Sequence, residues 1–176
     1  MKLILATIIA VAFSPASFSA VSSFTLSDDG ASLTILTSEG KSFMAPKTAP
    51  QQVAFGDVKV SPNGQYVGWT LAFSNCCTSY PLPRSLVIHD EIRVVRIVEP
   101  EDFSIFKWRF SQDGRSFVYM RELPHGNSPY LYRWIRIQDG KVLGKFDCYP
   151  DDPDQPPGKH ISPPEWAQGP KVKCAI

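Results

Sequence analysis

Three times along this chain a segment of alternating apolar and polar residues runs into a four-residue turn, Ser-x-x-Gly, and leaves it as another such segment. The turns are Ser27-Asp28-Asp29-Gly30, Ser61-Pro62-Asn63-Gly64 and Ser111-Gln112-Asp113-Gly114. Asp and Gly tolerate the left-handed backbone that a tight reversal needs, so each turn marks a hairpin. The fullest copy spans Phe106–Asp147. There Phe106, Trp108 and Phe110 alternate with Lys107, Arg109 and Ser111, the period of a strand with two different faces. Ser116–Arg121 is a second strand, rich in β-formers. Leu123–Pro129 is a longer loop, Tyr130–Ile137 a third strand, Gln138-Asp139-Gly140 a turn and Lys141–Phe146 a fourth strand. One four-stranded meander cannot bury both of its faces, so this unit needs neighbours.

The earlier residues supply them. Strands are expected at Phe24–Leu26, Ala31–Thr37, Lys41–Ala45, Val58–Val60, Gln65–Phe73, Ser85–His89 and Ile92–Val98. They group into units of about 24–47, 58–99 and 106–147, the first of them shortened. The 16 prolines and 11 glycines favour many turns over long helices, which makes the expected class all-β with few or no helices. The pattern resembles the blade repeats of TolB-like and WD40-like β-propellers; an antiparallel sandwich is the competing arrangement. Three units cannot close a ring, so an open or partial propeller is expected. Its uncovered surfaces fall to the Pro-rich tail, residues 149–176, which should be extended and pack Trp166, with Ile161 as a second contact, against the sheets.

The chain opens with Lys2, an apolar run Leu3–Phe13 and small residues around Pro15, the layout of a secretory signal peptide. That run is shorter than the about 20 apolar residues needed to span a bilayer. The expected cut follows Ser19 or Ala20, with no membrane anchor and a single domain over 21–176. A net charge of +1 gives no electrostatic case for nucleic acid. Cys76, Cys77, Cys148 and Cys174 are an even number in an exported chain, which points to disulfides, with three pairings open. Cys148–Cys174 would staple the tail across a loop of about 27 residues, stabilising by about 3 kcal/mol. It would leave Cys76–Cys77 to close as a vicinal ring; otherwise one of that pair reaches Cys148 or Cys174.

Catalytic and metal signatures are missing. His89, His125 and His160 stand far apart and in no metal spacing, and there is no nucleophile elbow, phosphate loop or dinucleotide fingerprint. Adjacent cysteines in an oxidising compartment are poor nucleophile candidates. Arg109, Arg121, Arg133 and Arg136 with Trp108, Tyr130, Tyr132 and Trp134 read as the polar and apolar faces of strands. The acidic run Asp151, Asp152, Asp154 reads as a solvated turn. The expected protein is therefore not an enzyme and carries no cofactor or metal. Two loops remain, in equivalent places of the second and third units: Ser74–Pro83, with Ser74, Asn75, Thr78, Ser79 and Tyr80, and Leu123–Pro129. Loops on a rigid sheet scaffold are where binding residues concentrate. Pro124 and Pro129 flank His125, Gly126, Asn127 and Ser128 and lower the cost of ordering them on a partner.

The run FSQDGRSFVYMRELPHGNSPYLYRW resembles the immunity proteins that protect bacteria from type VI secretion peptidoglycan amidases. The resemblance covers about residues 106–147 and is architectural elsewhere. It implies a periplasmic, all-β inhibitor that binds a secreted amidase by pushing a loop into its Cys–His cleft. Carried over by position, the loop is Pro124–Pro129, and Ser128 takes the place of a serine that hydrogen-bonds the catalytic histidine. This chain has one serine there and two prolines, which leaves Asn127 and His125 as alternative contacts. The competing function is a TolB-like envelope scaffold or interaction module with no toxin partner.

Overall fold

Each Ser-x-x-Gly turn closes on the same hydrogen bonds in the computed structural model of the chain. The serine hydroxyl donates to the side-chain oxygen two residues on, at 2.7 Å in Ser27–Asp29, 2.7 Å in Ser61–Asn63 and 2.6 Å in Ser111–Asp113. It accepts from the amide five residues on, that of Ser32, Tyr66 or Ser116, at 3.0, 2.9 and 3.0 Å. The glycines Gly30, Gly64 and Gly114 take φ values of 68°, 69° and 68°, where a side chain would be strained. The structure describes residues 19–99, 101–124, 129–149, 160–161, 163–167 and 174–175, with the side chains of 160–161 and 174–175 outside the description.

The turns join the first two strands of three antiparallel sheets. The first sheet is β1 (Val21–Leu26), β2 (Leu33–Thr37) and β3 (Ser42–Met44). The second is β4 (Gln52–Val60), β5 (Val67–Phe73), β6 (Leu82–His89) and β7 (Val94–Val98), and the third β8 (Ser104–Phe110), β9 (Ser116–Glu122), β10 (Tyr130–Arg136) and β11 (Val142–Cys148). All three are consecutive meanders, and the fold is all-β. A two-stranded pair, β12 (His160–Ile161) and β13 (Cys174–Ala175), and one 3-10 turn at Glu165–Ala167 complete the described elements. β4 begins six residues before the expected Val58. A bulge between Gly56 and Lys59, with Asp57 at φ 42°, breaks the alternation that would have extended the strand backwards.

The second and third sheets stack with the same orientation. The Asn63 amide donates to the Asp113 carbonyl at 3.2 Å, and a Cβ on Gly114 would lie 2.5 Å from Asn63, so their Ser-x-x-Gly turns touch. Trp108 of β8 packs against β5 at Gly68, where a Cβ would sit 2.6 Å from the indole. The Trp108 indole N–H donates to the Asp57 carbonyl at 3.0 Å, tying β8 to the β4 bulge. The first sheet runs the other way. Val21 N donates to Gly64 O at one end, and Phe55 N donates to Gly30 O at the other, both at 2.8 Å, so β1 lies antiparallel to β4. The first unit is thus a three-stranded sheet turned end for end against two blade-like sheets.

Burial follows this stack. Leu33, Ile35, Phe55, Val67, Trp69 and Leu71 fill the space between the first and second sheets. Leu86, Ile88, Ile105, Trp108, Phe117 and Ile137 fill that between the second and third. The far face of the third sheet carries Met120, Tyr132 and Cys148, and the tail covers it with Ala167 and Trp166. Trp166 stacks on Trp134 with ring centres 5.9 Å apart and passes over Gly144, where a Cβ would lie 2.8 Å from the indole. The expected packing of Trp166 holds, but at the 3-10 turn rather than in an extended strand. Ile161 contributes a backbone pairing with Cys174.

Candidate functional site

The stacking gives the two blade-like sheets distinct ends. One carries the touching turns 61–64 and 111–114. At the other β5 passes into β6 through residues 74–81 and β9 into β10 through 123–129, so both predicted binding loops leave the same end of the scaffold. Four large apolar residues are exposed at this loop end: Val53 at the start of β4, Tyr80, Leu123, and Tyr149 just after β11. They are 39%, 48%, 39% and 55% exposed, enough to give a partner protein apolar area at the rim of the loops.

Within the 74–81 loop, the Asn75 amide donates to the Thr78 hydroxyl at 3.3 Å, which donates to the Tyr80 carbonyl at 2.5 Å. These bonds organise the segment that holds the exposed Ser74, Ser79 and Tyr80. Cys76 and Cys77 are joined as a vicinal disulfide at its tip, both exposed. Cys148 is fully buried at the end of β11 and disulfide-bonded. Of the other loop, Pro124 and Pro129 are described; His125, Gly126, Asn127 and Ser128 lie outside the described residues, as does the acidic run Asp151, Asp152, Asp154.

The arginines singled out in the sequence are held separately. Arg121, 3% exposed, pairs with Glu101 and donates to the Glu99 carbonyl at 2.6 Å. Arg133 pairs with Asp147, Arg136 with Asp139, and Arg109 donates to the Trp166 carbonyl at 3.0 Å. They form no common strip. His89 is buried between Phe43 and Trp69, with ring centres 5.2 and 5.8 Å away, and burial pushes its pKa below the usual histidine value. Among the described residues no group of three His, Cys, Asp or Glu side chains is arranged to hold a metal ion.

No family model and no curated protein matches this chain. Solved structures align with part of it at low identity. Hydrazine synthase of Kuenenia stuttgartiensis aligns at 16% identity and a TM-score of 0.46 over 72% of this chain and 34% of that one. A 6-phosphogluconolactonase-like structure of Bacteroides fragilis aligns at 12% identity and 0.43, over 78% and 41%. A eukaryotic initiation factor aligns at 13% identity and 0.34, over 71% and 42%. This chain therefore spans well under half the length of each.

Proposed function

We propose that this protein is an exported immunity protein that binds and inhibits a type VI secreted peptidoglycan amidase, the loop Pro124–Pro129 entering the enzyme's Cys–His cleft. The observation that carries this reading is the loop end: two long loops leave one end of two tightly packed sheets, with Val53, Tyr80, Leu123 and Tyr149 exposed around them. A rigid scaffold that projects loops amid exposed apolar and aromatic residues suits insertion into a concave partner. The exposed vicinal disulfide at the tip of 74–81 suits an oxidising compartment, in keeping with the signal-like start of the chain.

The chemistry of inhibition is simple. A Cys–His amidase needs its imidazole free to activate the thiol. A hydroxyl or amide from Ser128, Asn127 or His125 that hydrogen-bonds the imidazole occupies that base, and the body of the loop excludes substrate. Tight self-protection calls for about 1,600 Å² of total contact, more than one loop supplies, so the apolar rim shares the binding. The test is calorimetric titration of the mature protein into a secreted Cys–His peptidoglycan amidase from the same bacterium. Saturable one-to-one binding, weakened at least tenfold by Gly126→Val and by Tyr80→Ala with Leu123→Ala, is expected. Binding that none of these changes alters would overturn the assignment of the loop end.

A further inference from the structure

The 3-10 turn at Glu165–Ala167 does not fill all of the space beneath it. Between the 3-10 turn, the far face of the third sheet and the edge of β4 lies a cavity of about 290 Å³. Its wall is apolar and partly aromatic: Phe106, Val118, Met120, Tyr132 and the Trp166 ring. β8 is the edge strand of its sheet and β4 that of the neighbouring sheet, so the cavity opens between two strand edges. Three cations stand on this opening, Lys59, Lys107 and Arg109, against one carboxylate, Asp57.

These charges are not equally engaged. Lys59 pairs with Asp57 and lies 4.9 Å from the centre of the Trp108 ring. Arg109 spends one guanidinium N–H on the Trp166 carbonyl at 3.0 Å, which holds the turn over the cavity and leaves its other donors. Lys107 is exposed and makes no ion pair among the described residues. Glu122, on β9 beside the cavity wall, acts electrostatically on Lys107. With Asp57 matched to Lys59, the three cations still outnumber the two carboxylates by one above an apolar wall.

We infer that this cavity is a binding site for a small aromatic anion, its ring against Met120, Tyr132 and Trp166 and its carboxylate or sulfonate at Lys107 and Arg109. The volume lies at the small end of the range for ligand sites, about 300–1,000 Å³, which limits the occupant to one or two fused rings. The flat shape follows from the ring faces and the methionine thioether, which take a planar apolar body. The anionic group follows from the two cations at the mouth, one of them a guanidinium with paired donors. This site lies over the outer face of the third sheet, away from the loop end, and does not depend on the proposed inhibitory role.

The test uses 2-naphthoate and its neutral counterpart 2-naphthylmethanol, titrated into the full mature protein while the indole N–H resonances are followed by NMR. Naphthoate should shift the Trp108 and Trp166 signals saturably at one equivalent and bind at least fivefold tighter than the alcohol. Lys107→Gln, at an exposed position that does not threaten folding, should weaken naphthoate at least threefold and leave the alcohol unchanged. Val118→Phe should weaken both. Equal affinity for the two probes, an unaltered response in Lys107→Gln, or no movement of either indole at millimolar naphthoate would overturn the inference.

Discussion

Gly68→Ala puts the packing of the second sheet on the third to a quantitative test. Gly68 lies in β5 outside the left-handed region, so alanine meets no backbone penalty there. By itself the change would stabilise by about 0.4–1 kcal/mol, through the lower entropy of the unfolded chain. The methyl, however, would sit 2.6 Å from Trp108 Cη2, 2.7 Å from Ile88 Cδ1 and 3.1 Å from the Val87 carbonyl. Trp108 cannot retreat freely, because its indole N–H is held by the Asp57 carbonyl and its ring by Phe110 at 5.1 Å. Overpacking costs about 1–3 kcal/mol; with two buried side chains struck inside 3.0 Å the upper half, about 2–3 kcal/mol, applies, for a net loss of about 1–2.6 kcal/mol. For a domain of this size that lowers Tm by about 3–8 °C. Thermal unfolding followed by near-ultraviolet circular dichroism measures it. Trp108→Phe removes the ring atoms that would be struck, so the double variant should lose at least 0.5 kcal/mol less than the sum of the singles. A Gly68→Ala protein that unfolds at or above the parent's temperature, or strictly additive variants, would refute the stacking described here.

Three other expectations concern acid, the tail and the cysteines. The neutral form of His89 is favoured in the fold by burial, so the unfolded chain binds more protons, and that share of stability is complete above pH 6.5 and is lost as pH falls below it. Asp29, held low first by the Ala31 amide, and Asp113, held low first by the Ser111 hydroxyl, add a second loss as pH falls below 3.8. A Tm–pH series should show both declines, and His89→Phe should flatten the first only. Gly144→Ala, which drives a methyl to 2.8 Å from Trp166, should lift the tail turn and speed proteolysis after residue 149 while the sheets stay folded; unchanged cleavage would count against the tail's seat. Replacing Cys76 and Cys77 together by serine should move Tm by less than about 2 °C, since a bridge between adjacent residues constrains almost no chain, whereas Cys148→Ser should cost about 2–4 kcal/mol. Equal losses would show that the vicinal bridge also holds the fold.

The strands and turns are legible in the sequence because both signals are local. Alternation at 106–110 and the Ser-x-Asx-Gly spacing each require only a few neighbouring residues, and all three turns close on the same bonds. The reversal of the first sheet is not legible. The turn at 27–30 is the same motif as those at 61–64 and 111–114, and nothing within four residues states which end of the stack it occupies. The early start of β4 is hidden for a related reason: Gly56 and Asp57 interrupt the period, and the left-handed Asp57 is bonded to Trp108, 51 residues away, a contact no local pattern announces. At the site, the loops 74–83 and 123–129 are found by their turn residues, although β6 already begins at Leu82 and shortens the first to 74–81; the exposed Val53 and Tyr149 are missed. Each is an unremarkable apolar residue until the sheets bring strand ends together. Trp166 announces a packing contact; that it shields a basic-mouthed cavity depends on Lys59, Lys107 and Arg109 converging from two sheets.

The central claim is that one end of a stacked-sheet scaffold stops a Cys–His amidase with a loop. Hydrolysis of peptidoglycan fragments by that amidase, measured against rising concentrations of the mature protein and of a variant lacking residues 124–129, addresses it most directly. The account predicts complete inhibition by the intact protein at one equivalent and at least a hundredfold weaker inhibition by the shortened one, with both unfolding at similar temperatures. Full inhibition by the shortened variant, or none by the intact protein, would contradict it.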